Sequence, residues 1–199
     1  MKYDTDYDKI LVERTLVAEP ALRTTVLRLP MVHGPRDPQH RLFPYLTRMD
    51  DRRPAILLQE GLADLRLPRG FVDNVAAAIV IAMTDGRTAG RTYNVADSEA
   101  PTEAEWVRMV GRAAGWEGEI RVLPNERTPQ HLLRDYRFAQ QWQMDSARIR
   151  HELDYREPLP WDDALRQALA WERAHPPVDV DPAAFDYSAE DPSLGQPVL

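Results

Sequence analysis

The sequence predicts an α/β fold, in which short apolar strands alternate with amphipathic helices. Residues 24–27 are β-branched and apolar, which is typical of a buried strand. The chain then enters a loop rich in Pro and Gly at residues 30–35, where a strand cannot continue. Open α/β sheets bind their ligands in polar loops of this kind. An ordinary exit from a strand into a loop is the alternative interpretation.

Composition limits the possible classes of protein. The chain has 199 residues, 43% of them hydrophobic, which is enough for one or two domains with a core. The absence of cysteine excludes disulfides and fits a reducing compartment. No apolar run approaches the roughly 20 residues of a membrane span, and the first residues are too polar for a signal peptide. We therefore expect a cytoplasmic protein without membrane contact.

The charge is unevenly distributed. The net charge of −7 argues against nucleic-acid binding. Residues 176–199 contain five acids and neither Lys nor Arg. The sequence therefore predicts one folded unit over residues 1–177 and an acidic, disordered tail over residues 178–199. Almost all cations are Arg, and the two lysines are Lys2 and Lys9.

The individual elements follow from spacing and capping residues. A helix is expected over residues 6–18, with caps among residues 4–6 and an end at Pro20. A capping box at Thr102 and Glu105 begins another helix, and Gly115 ends it. The remaining patterns predict helices over 42–49, 72–84, 146–153 and 161–175, and strands over 55–59, 92–95 and 120–123. Residues 65–67 suggest a further strand, and residues 132–141 a further helix.

Several segments resemble one known family. Residues 27–37 (LRLPMVHGPRD) are similar to the "LRPxxVYGPxD" segment of extended short-chain dehydrogenases/reductases, the NAD-dependent epimerase/dehydratase family. Residues 69–76, residues 92–97 and a closing helix from Trp161 follow in the family's order. Over roughly residues 7–175 the chain resembles the C-terminal half of such a protein. This resemblance implies an incomplete Rossmann-like doubly wound sheet, formed by its last strands and helices, with a small α/β substrate-binding lobe.

The resemblance implies a catalytic role for the first helix. In the family this helix carries a Tyr and a Lys four residues apart, on one face, where the Lys lowers the pKa of the Tyr that acts as acid and base. Lys9 matches the lysine, but Thr5 stands at the tyrosine position. Tyr7 is two residues from Lys9, about 200° round the helix, so a shifted helix start would be needed for Tyr7 or Tyr3 to substitute. The alternative is a solvated Lys9 and a partly buried Tyr7.

The resemblance also implies cofactor and substrate contacts. NAD or NADP would contact Lys9, Pro30, Val32 and His33. The substrate, a sugar or nucleotide-sugar, would contact Met31, His33, Arg36, Arg66 and Arg69. His33 replaces the family's usual Tyr, and Met31 replaces an Asn that touches nucleotide-sugars in many members. Arg66 and Arg69 suit phosphate because the guanidinium binds it through two hydrogen bonds, although surface salt bridges are an equal alternative.

One part of a dinucleotide site is missing from the sequence. The pyrophosphate needs a Gly-rich turn between a strand and a helix, and no GxxGxxG pattern occurs among the nine glycines. Tight binding of NAD or NADP by this chain alone is therefore not expected, and no metal-ligand spacing is found. The chain is interpreted as a fragment of an NAD(P)-dependent epimerase, dehydratase or reductase, working as a homo-oligomer or with a missing N-terminal half. The alternative is a non-catalytic remnant or a protein that binds a ligand or partner.

Overall fold

The computed structural model describes residues 8–19 and 21–194. Its helices are α1 (Lys9–Val17), α2 (Phe43–Asp50), α3 (Glu60–Ala63), α4 (Val72–Thr84), α5 (Glu103–Ala114), α6 (Ala147–Leu153), α7 (Trp161–Ala174) and α8 (Tyr187–Leu194). Its strands are β1 (Val26–Arg28), β2 (Met31–His33), β3 (Ala55–Gln59), β4 (Arg69–Phe71), β5 (Thr92–Asn94) and β6 (Glu119–Leu123). Short 3₁₀ turns lie at Gly86–Thr88, Asn125–Arg127, Gln130–Leu132 and Pro182–Phe185. The α/β prediction is confirmed.

The six strands form three small parallel pairs. β1 pairs with β5, β2 with β4 and β3 with β6. In the first pair Val26 lies opposite Thr92, and in the second His33 lies opposite Phe71. α4 follows β4 directly and connects it to β5, so it lies between the second pair and the first.

Two separate hydrophobic clusters hold these pairs in place. One lies between β3, α5 and α7 and is built around buried side chains such as Ile56, Val107 and Leu165. The other joins α4, β5 and α6 and includes Tyr93 and Ile149. We call the part built on α2, β3, α5 and β6 the lobe, because it packs around the first cluster.

The prediction for α5 is confirmed in detail. The Thr102 hydroxyl accepts a hydrogen bond from the Glu105 backbone N–H, and the Glu105 carboxylate accepts one from the Thr102 backbone N–H. Gly115 ends the helix in the left-handed conformation. Such a reciprocal cap satisfies two N–H groups that the first turn leaves without helical partners. It therefore fixes where the buried face of α5 begins.

Gly34 ends β2 with a backbone that requires glycine. Its φ is +121°, and a Cβ atom there would lie 2.7 Å from Cε2 of Phe71. Neither the conformation nor the space permits a larger residue. The chain can therefore turn sharply after His33 while staying close to β4.

The first helix differs from its prediction. α1 begins at Lys9, and Asp8 caps it by accepting hydrogen bonds from the backbone N–H groups of Ile10 and Leu11. The caps predicted at residues 4–6 lie outside the described residues. No residue of α1 is buried, and Ile10 and Leu11 are 57% and 61% exposed. The apolar stripe that predicted this helix therefore joins neither hydrophobic cluster and stays largely exposed in the described part of the chain.

Two predictions of local structure are wrong. Residues 65–67 form no strand, because only Arg66 makes an isolated antiparallel bridge, to Thr102. Residues 132–141 form no α-helix: the turn Gln130–Leu132 ends at their start, and irregular chain follows. In both segments, contacts to distant residues replace regular local hydrogen bonds. The backbone N–H of Arg66, for example, donates to the Gln141 side chain.

The prediction of a disordered tail is wrong for the residues that the structure describes. Residues 181–194, which we call the strap, contain the turn Pro182–Phe185 and α8. Glu190 of the strap is fully buried, and Phe185 packs edge-on against Phe43 at a ring distance of 5.8 Å. The strap is ordered because its acids pair with arginines of the lobe, such as Arg48.

Within residues 8–19 and 21–194, no helix is both long and apolar enough to cross a membrane.

Candidate functional site

A groove of about 850 Å³ lies beside the loop that follows β2. Lys9, the first residue of α1, lines this outer groove together with Pro30, Val32 and Arg36. Lys9 is exposed. The groove therefore brings α1 and the Pro/Gly loop together.

A smaller cavity of about 250 Å³ lies inside the lobe. Its apolar walls come from β3 and α3, and its polar walls come from α2, α5 and the segment after β6. The principal lining residues are Met31, Tyr45, Arg48, Ile56, Leu58, Gln59, Leu62, Arg69, Glu103, Trp106, His131 and Arg134. Apolar walls with a few convergent polar groups are typical of sites for small molecules.

The outer groove and the inner cavity meet at two residues, His33 and Arg41, which line both. His33 ends β2, and Arg41 lies just before α2. A ligand in the cavity and a second ligand in the groove would therefore approach each other at these two side chains. We call this place the junction.

His33 is buried, with 4% of its surface exposed. Its ring packs edge-on against Trp106 at 5.1 Å and tilted against Phe71 at 5.9 Å. Burial and the positive charge of Arg69 lower the pKa of His33 to about 4. The imidazole is therefore neutral at pH 7, with one nitrogen protonated and the other able to accept a hydrogen bond. Nδ1 is buried and has no partner among the described residues.

Arg41 is held in place by its own loop. Its Nη1 donates to the backbone oxygen of Val32 at 2.8 Å and to the Asp37 carboxylate. Asp37 also accepts hydrogen bonds from the backbone N–H groups of Gln39 and Arg41. These contacts fix the guanidinium, while its Nε is buried without an acceptor among the described residues.

Arg69, a predicted substrate contact, forms a buried ion pair at the cavity wall. Its side chain is 5% exposed and forms an ion pair with Glu103. Its guanidinium also lies 4.6 Å from the Trp106 ring centre. Tyr45 donates to the other oxygen of Glu103 at 2.7 Å, and burial together with Glu103 raises the Tyr45 pKa well above its usual value. Arg69 thus lies at the cavity wall, but its charge is already balanced by a buried carboxylate.

Arg66 lies outside both the cavity and the groove. Its Nη1 donates to the backbone oxygen of Ala100 at 2.5 Å and lies 3.5 Å from Glu105. Arg66 lines a separate open pocket together with Asp97. Burial and the nearby Glu157 raise the pKa of Asp97 to about 7. The structure therefore separates Arg66 from Arg69, which the sequence predicts to act at one site.

The strap completes one end of the inner cavity. Ala184 and Arg48 both line it, and Arg48 donates to Ala184 O at 2.9 Å. The Glu190 carboxylate accepts from Arg48 and lies 3.0 Å from His131 Nε2. Arg134 is exposed on the same cavity and donates to the backbone oxygens of His131 and Leu133. Arg134 is thus the cation of this wall that pairs with no acid among the described residues.

The predicted site residues divide between these features. Lys9, Pro30, Val32 and Arg36 line the groove, Met31 and Arg69 line the cavity, His33 lines both and Arg66 neither. Thr5 and Tyr7 lie outside the described residues. In the described part of the chain, no group of three or more His, Asp or Glu side chains could hold a metal ion.

Sequence reasoning missed most of the polar lining of the cavity. Arg41, Tyr45, Arg48, Glu103 and His131 are spread over 90 residues and belong to no short motif. Their common feature is a polar side chain that is buried or half-buried, which one sequence does not reveal. The only available signal was an Arg at helical spacing inside an apolar stripe, as at Arg48 in α2.

Comparison with protein families gives a match to one of them. Residues 5–96 match the sequence profile described as the NAD dependent epimerase/dehydratase family. The matched range includes α1, the Pro/Gly loop, His33, Arg41 and the whole of β4 and α4.

A curated relative covers a different share of the chain. It is an uncharacterised protein, y4nL, of Sinorhizobium fredii (strain NBRC 101917 / NGR234), 30% identical over 121 residues. The match includes 59% of this chain and 33% of the relative. The chain thus spans about a third of the length of this relative.

Solved structures show the same fold. RMD of Pseudomonas aeruginosa, in complex with NADPH, has a TM-score of 0.63 at 19% identity, over 84% of this chain and 55% of its own. UDP-glucose 4-epimerase of Thermotoga maritima, with UDP-glucose, has a TM-score of 0.62 at 19% identity, over 82% of this chain and 50% of the epimerase. DesIV of Streptomyces venezuelae, a dTDP-glucose 4,6-dehydratase with NAD and TYD bound, has a TM-score of 0.62 at 20% identity, over 83% of this chain and 48% of the dehydratase. Over residues 5–96 the chain is therefore similar to the NAD dependent epimerase/dehydratase family, and it shares the Rossmann-like fold of these structures.

Proposed function

We propose that this chain provides the substrate-binding lobe and one wall of the cofactor groove of an NAD(P)-dependent epimerase, dehydratase or reductase. The observation that carries the proposal is the junction, where one inner cavity and one outer groove share His33 and Arg41. A hydride-transfer enzyme must hold two ligands with their reacting atoms within about 3.5 Å of each other. Two spaces of unequal size that share a wall suit that requirement.

The outer groove fits the nicotinamide end of the cofactor. In this proposal Lys9, in the first turn of α1, binds the ribose, while Pro30 and Val32 offer apolar contact to a ring; all three line the groove. When bound, the nicotinamide would supply or accept the hydride. The chain has no Gly-rich turn for the pyrophosphate, so residues outside this sequence would hold that part of the cofactor.

The inner cavity fits a small, mostly uncharged substrate. Its volume of about 250 Å³ lies just below the sizes typical for ligand sites, roughly 300–1,000 Å³, which favours a small ligand. Arg69 and Arg48 are each paired with a buried carboxylate, whereas Arg134 is exposed and has no acidic partner among the described residues. A sugar inside the cavity, with an attached phosphate near Arg134, satisfies this distribution of charge.

Calorimetric titration of the chain with UDP-glucose tests this proposal. We expect saturable binding that Met31→Trp weakens at least tenfold, because Met31 lines the cavity and a larger ring would occupy it. Met83→Trp is the matched control, since Met83 is 80% exposed on α4. The proposal fails for sugar nucleotides if the chain does not bind UDP-glucose, or if both variants bind it equally well.

A ligand-binding protein without turnover is the second candidate function, and the missing Gly-rich turn favours it. Co-expression with a nucleotide-binding half from a related epimerase distinguishes the two. Oxidation or reduction of the nicotinamide in the presence of substrate supports the enzyme. Substrate binding without any change in nicotinamide absorbance supports the binding protein.

A further inference from the structure

The junction contains a histidine ring with no hydrogen-bond partner. No described residue bonds either ring nitrogen of His33, although its side chain is buried between Trp106 and Phe71. A buried polar group without a partner costs free energy, so such groups are rare and usually serve a purpose. Because His33 lines both the groove and the cavity, a ligand in either space can reach it.

The burial of the two nitrogens differs, which selects a tautomer. Nδ1 is buried, whereas Nε2 is not among the buried atoms that lack a partner. An unpaired buried N–H group is less tolerable than an unpaired lone pair. The ring proton therefore belongs on Nε2, which is the nitrogen that remains accessible, and His33 presents a donor to the ligand.

Arg41 adds a second donor at the same place. Its Nη1 is fixed by Val32 O and Asp37, whereas its Nη2 is not among the buried atoms and donates to no residue within 8–19 and 21–194. The guanidinium cannot turn away without breaking these two contacts. His33 and Arg41 are thus two oriented side chains, each with an unused polar atom, on the boundary between the two spaces.

The charges around the junction exclude an anion there. The charged groups that act on His33 are Arg69, Asp37 and Arg41. Arg41 is paired with Asp37, and Arg69 is paired with Glu103. These two pairings leave neither Arg41 nor Arg69 free to balance a buried carboxylate or phosphate, whereas an uncharged oxygen needs only hydrogen-bond donors.

We propose that His33 and Arg41 form a pair of donors that binds one uncharged oxygen of the substrate, a carbonyl or a hydroxyl, with His33 donating from Nε2. This inference rests on the proposed function for the identity of the ligand. It makes His33 a specificity-determining residue: the junction accepts a neutral oxygen and rejects a charged group at that position. A site built to donate discriminates strongly against analogues that lack the oxygen.

Nitrogen-15 NMR of the histidine rings tests the tautomer without any ligand. We expect the ring of His33, assigned by its loss in His33→Gln, to carry its proton on Nε2 between pH 6 and pH 8. A ring protonated on Nδ1, or on both nitrogens, at pH 7 overturns the inference.

Binding of UDP-glucose to variants tests the donor role. His33→Phe keeps a ring of similar shape but removes the donor, so we expect about a tenfold rise in the dissociation constant. His33→Gln retains an N–H group and should recover part of the affinity. His151→Phe is the matched control, since His151 is exposed on α6. Equal affinities for the unsubstituted chain and His33→Phe overturn the inference.

The two proposals fail in different ways. If the unsubstituted chain does not bind UDP-glucose, the proposed function fails for that ligand. The NMR result then decides the inference by itself, because an Nε2–H ring supports it and an Nδ1–H ring overturns it. If UDP-glucose binds but His33→Phe has no effect, the proposed function stands and the inference about the junction is wrong.

Discussion

The carboxylate of Glu190 accepts hydrogen bonds from Nε and Nη2 of Arg48, although 142 residues separate the two side chains in the sequence. Both side chains are almost completely buried, at 5% exposure for Arg48 and 0% for Glu190. Phe185 lies 4.9 Å from the Arg48 guanidinium and covers it. The strap is therefore an integral wall of the lobe.

The first prediction concerns this ion pair. Glu190→Ala should lower the free energy of unfolding by about 3–5 kcal/mol, because it leaves the Arg48 charge buried without a partner. The measurement is urea denaturation at pH 7. Asp191→Ala is the control, since Asp191 pairs with Arg53 from an exposed position and should cost about 1 kcal/mol or less. Similar losses in the two variants would contradict the role of Glu190.

The second prediction concerns His33 in acid. The folded protein holds the pKa of this ring at about 4, below the value near 6.5 of an unfolded chain. Between these two pH values the unfolded chain binds the proton more readily, so His33 makes the fold less stable as the pH falls. When the pH falls from 7 to 4.5, the free energy of unfolding of the His33→Gln variant should decrease by about 2 kcal/mol less than that of the parent chain. Identical losses would show that the ring is not buried in neutral form.

The third prediction concerns Asp97, whose effect on stability changes with pH in the opposite direction to that of His33. Burial and Glu157 raise its pKa to about 7 in the fold, well above the usual value of a carboxyl group. Stability from this group is present in acid and declines as the pH rises through about 7. When the pH rises from 5 to 8, the stability of the Asp97→Asn variant relative to the parent chain should therefore increase by on the order of 2 kcal/mol of unfolding free energy. Asp64→Asn, at an exposed position, should show no such gain.

The fourth prediction concerns Lys9 when a nucleotide-binding half is supplied. Lys9→Ala should raise the dissociation constant for NADPH about tenfold, because a charged hydrogen bond to the ribose is lost. Arg14→Ala is the matched control, since Arg14 is exposed on α1 and does not line the groove. The role proposed for Lys9 is wrong if Tyr7→Phe abolishes turnover while Lys9→Ala leaves both affinity and rate intact.

The fifth prediction concerns the chain without such a half. It should bind NADH and NADPH more weakly than the micromolar range, because no Gly-rich turn presents backbone N–H groups to the pyrophosphate. Calorimetry with each cofactor measures this directly. A micromolar dissociation constant would mean that the outer groove alone supplies enough contacts.

Local patterns predicted the elements whose signals are local. The helix at residues 72–84 and the strand at residues 55–59 have the predicted bounds, because apolar spacing and the flanking turns determine them. The capping box of Thr102 and Glu105 is equally local. By contrast, residues 132–141 have helical spacing but no helix, since tertiary contacts replace their local hydrogen bonds.

The candidate site was only partly predictable. The sequence places His33 in a Pro/Gly loop after a strand, whereas in the structure His33 ends a further strand, β2, inside that stretch. Whether His33 faces the groove, the cavity or both depends on how β2 and β4 pair and on the packing of Trp106. One sequence contains no signal for that packing, so Arg41 was missed altogether.

The sequence by itself determined the α/β class, the family resemblance and the position of the ligand loop, because each depends on residues that are neighbours along the chain. The tertiary structure alone decided the charge of the site. It pairs Arg69 with Glu103 across 34 residues and Arg48 with Glu190 across 142, so neither arginine is free to balance a charged group at the junction between His33 and Arg41. The physical reason is that the partners of a buried charge are chosen by packing in three dimensions, whereas sequence spacing reports only on side chains that share one helix or strand.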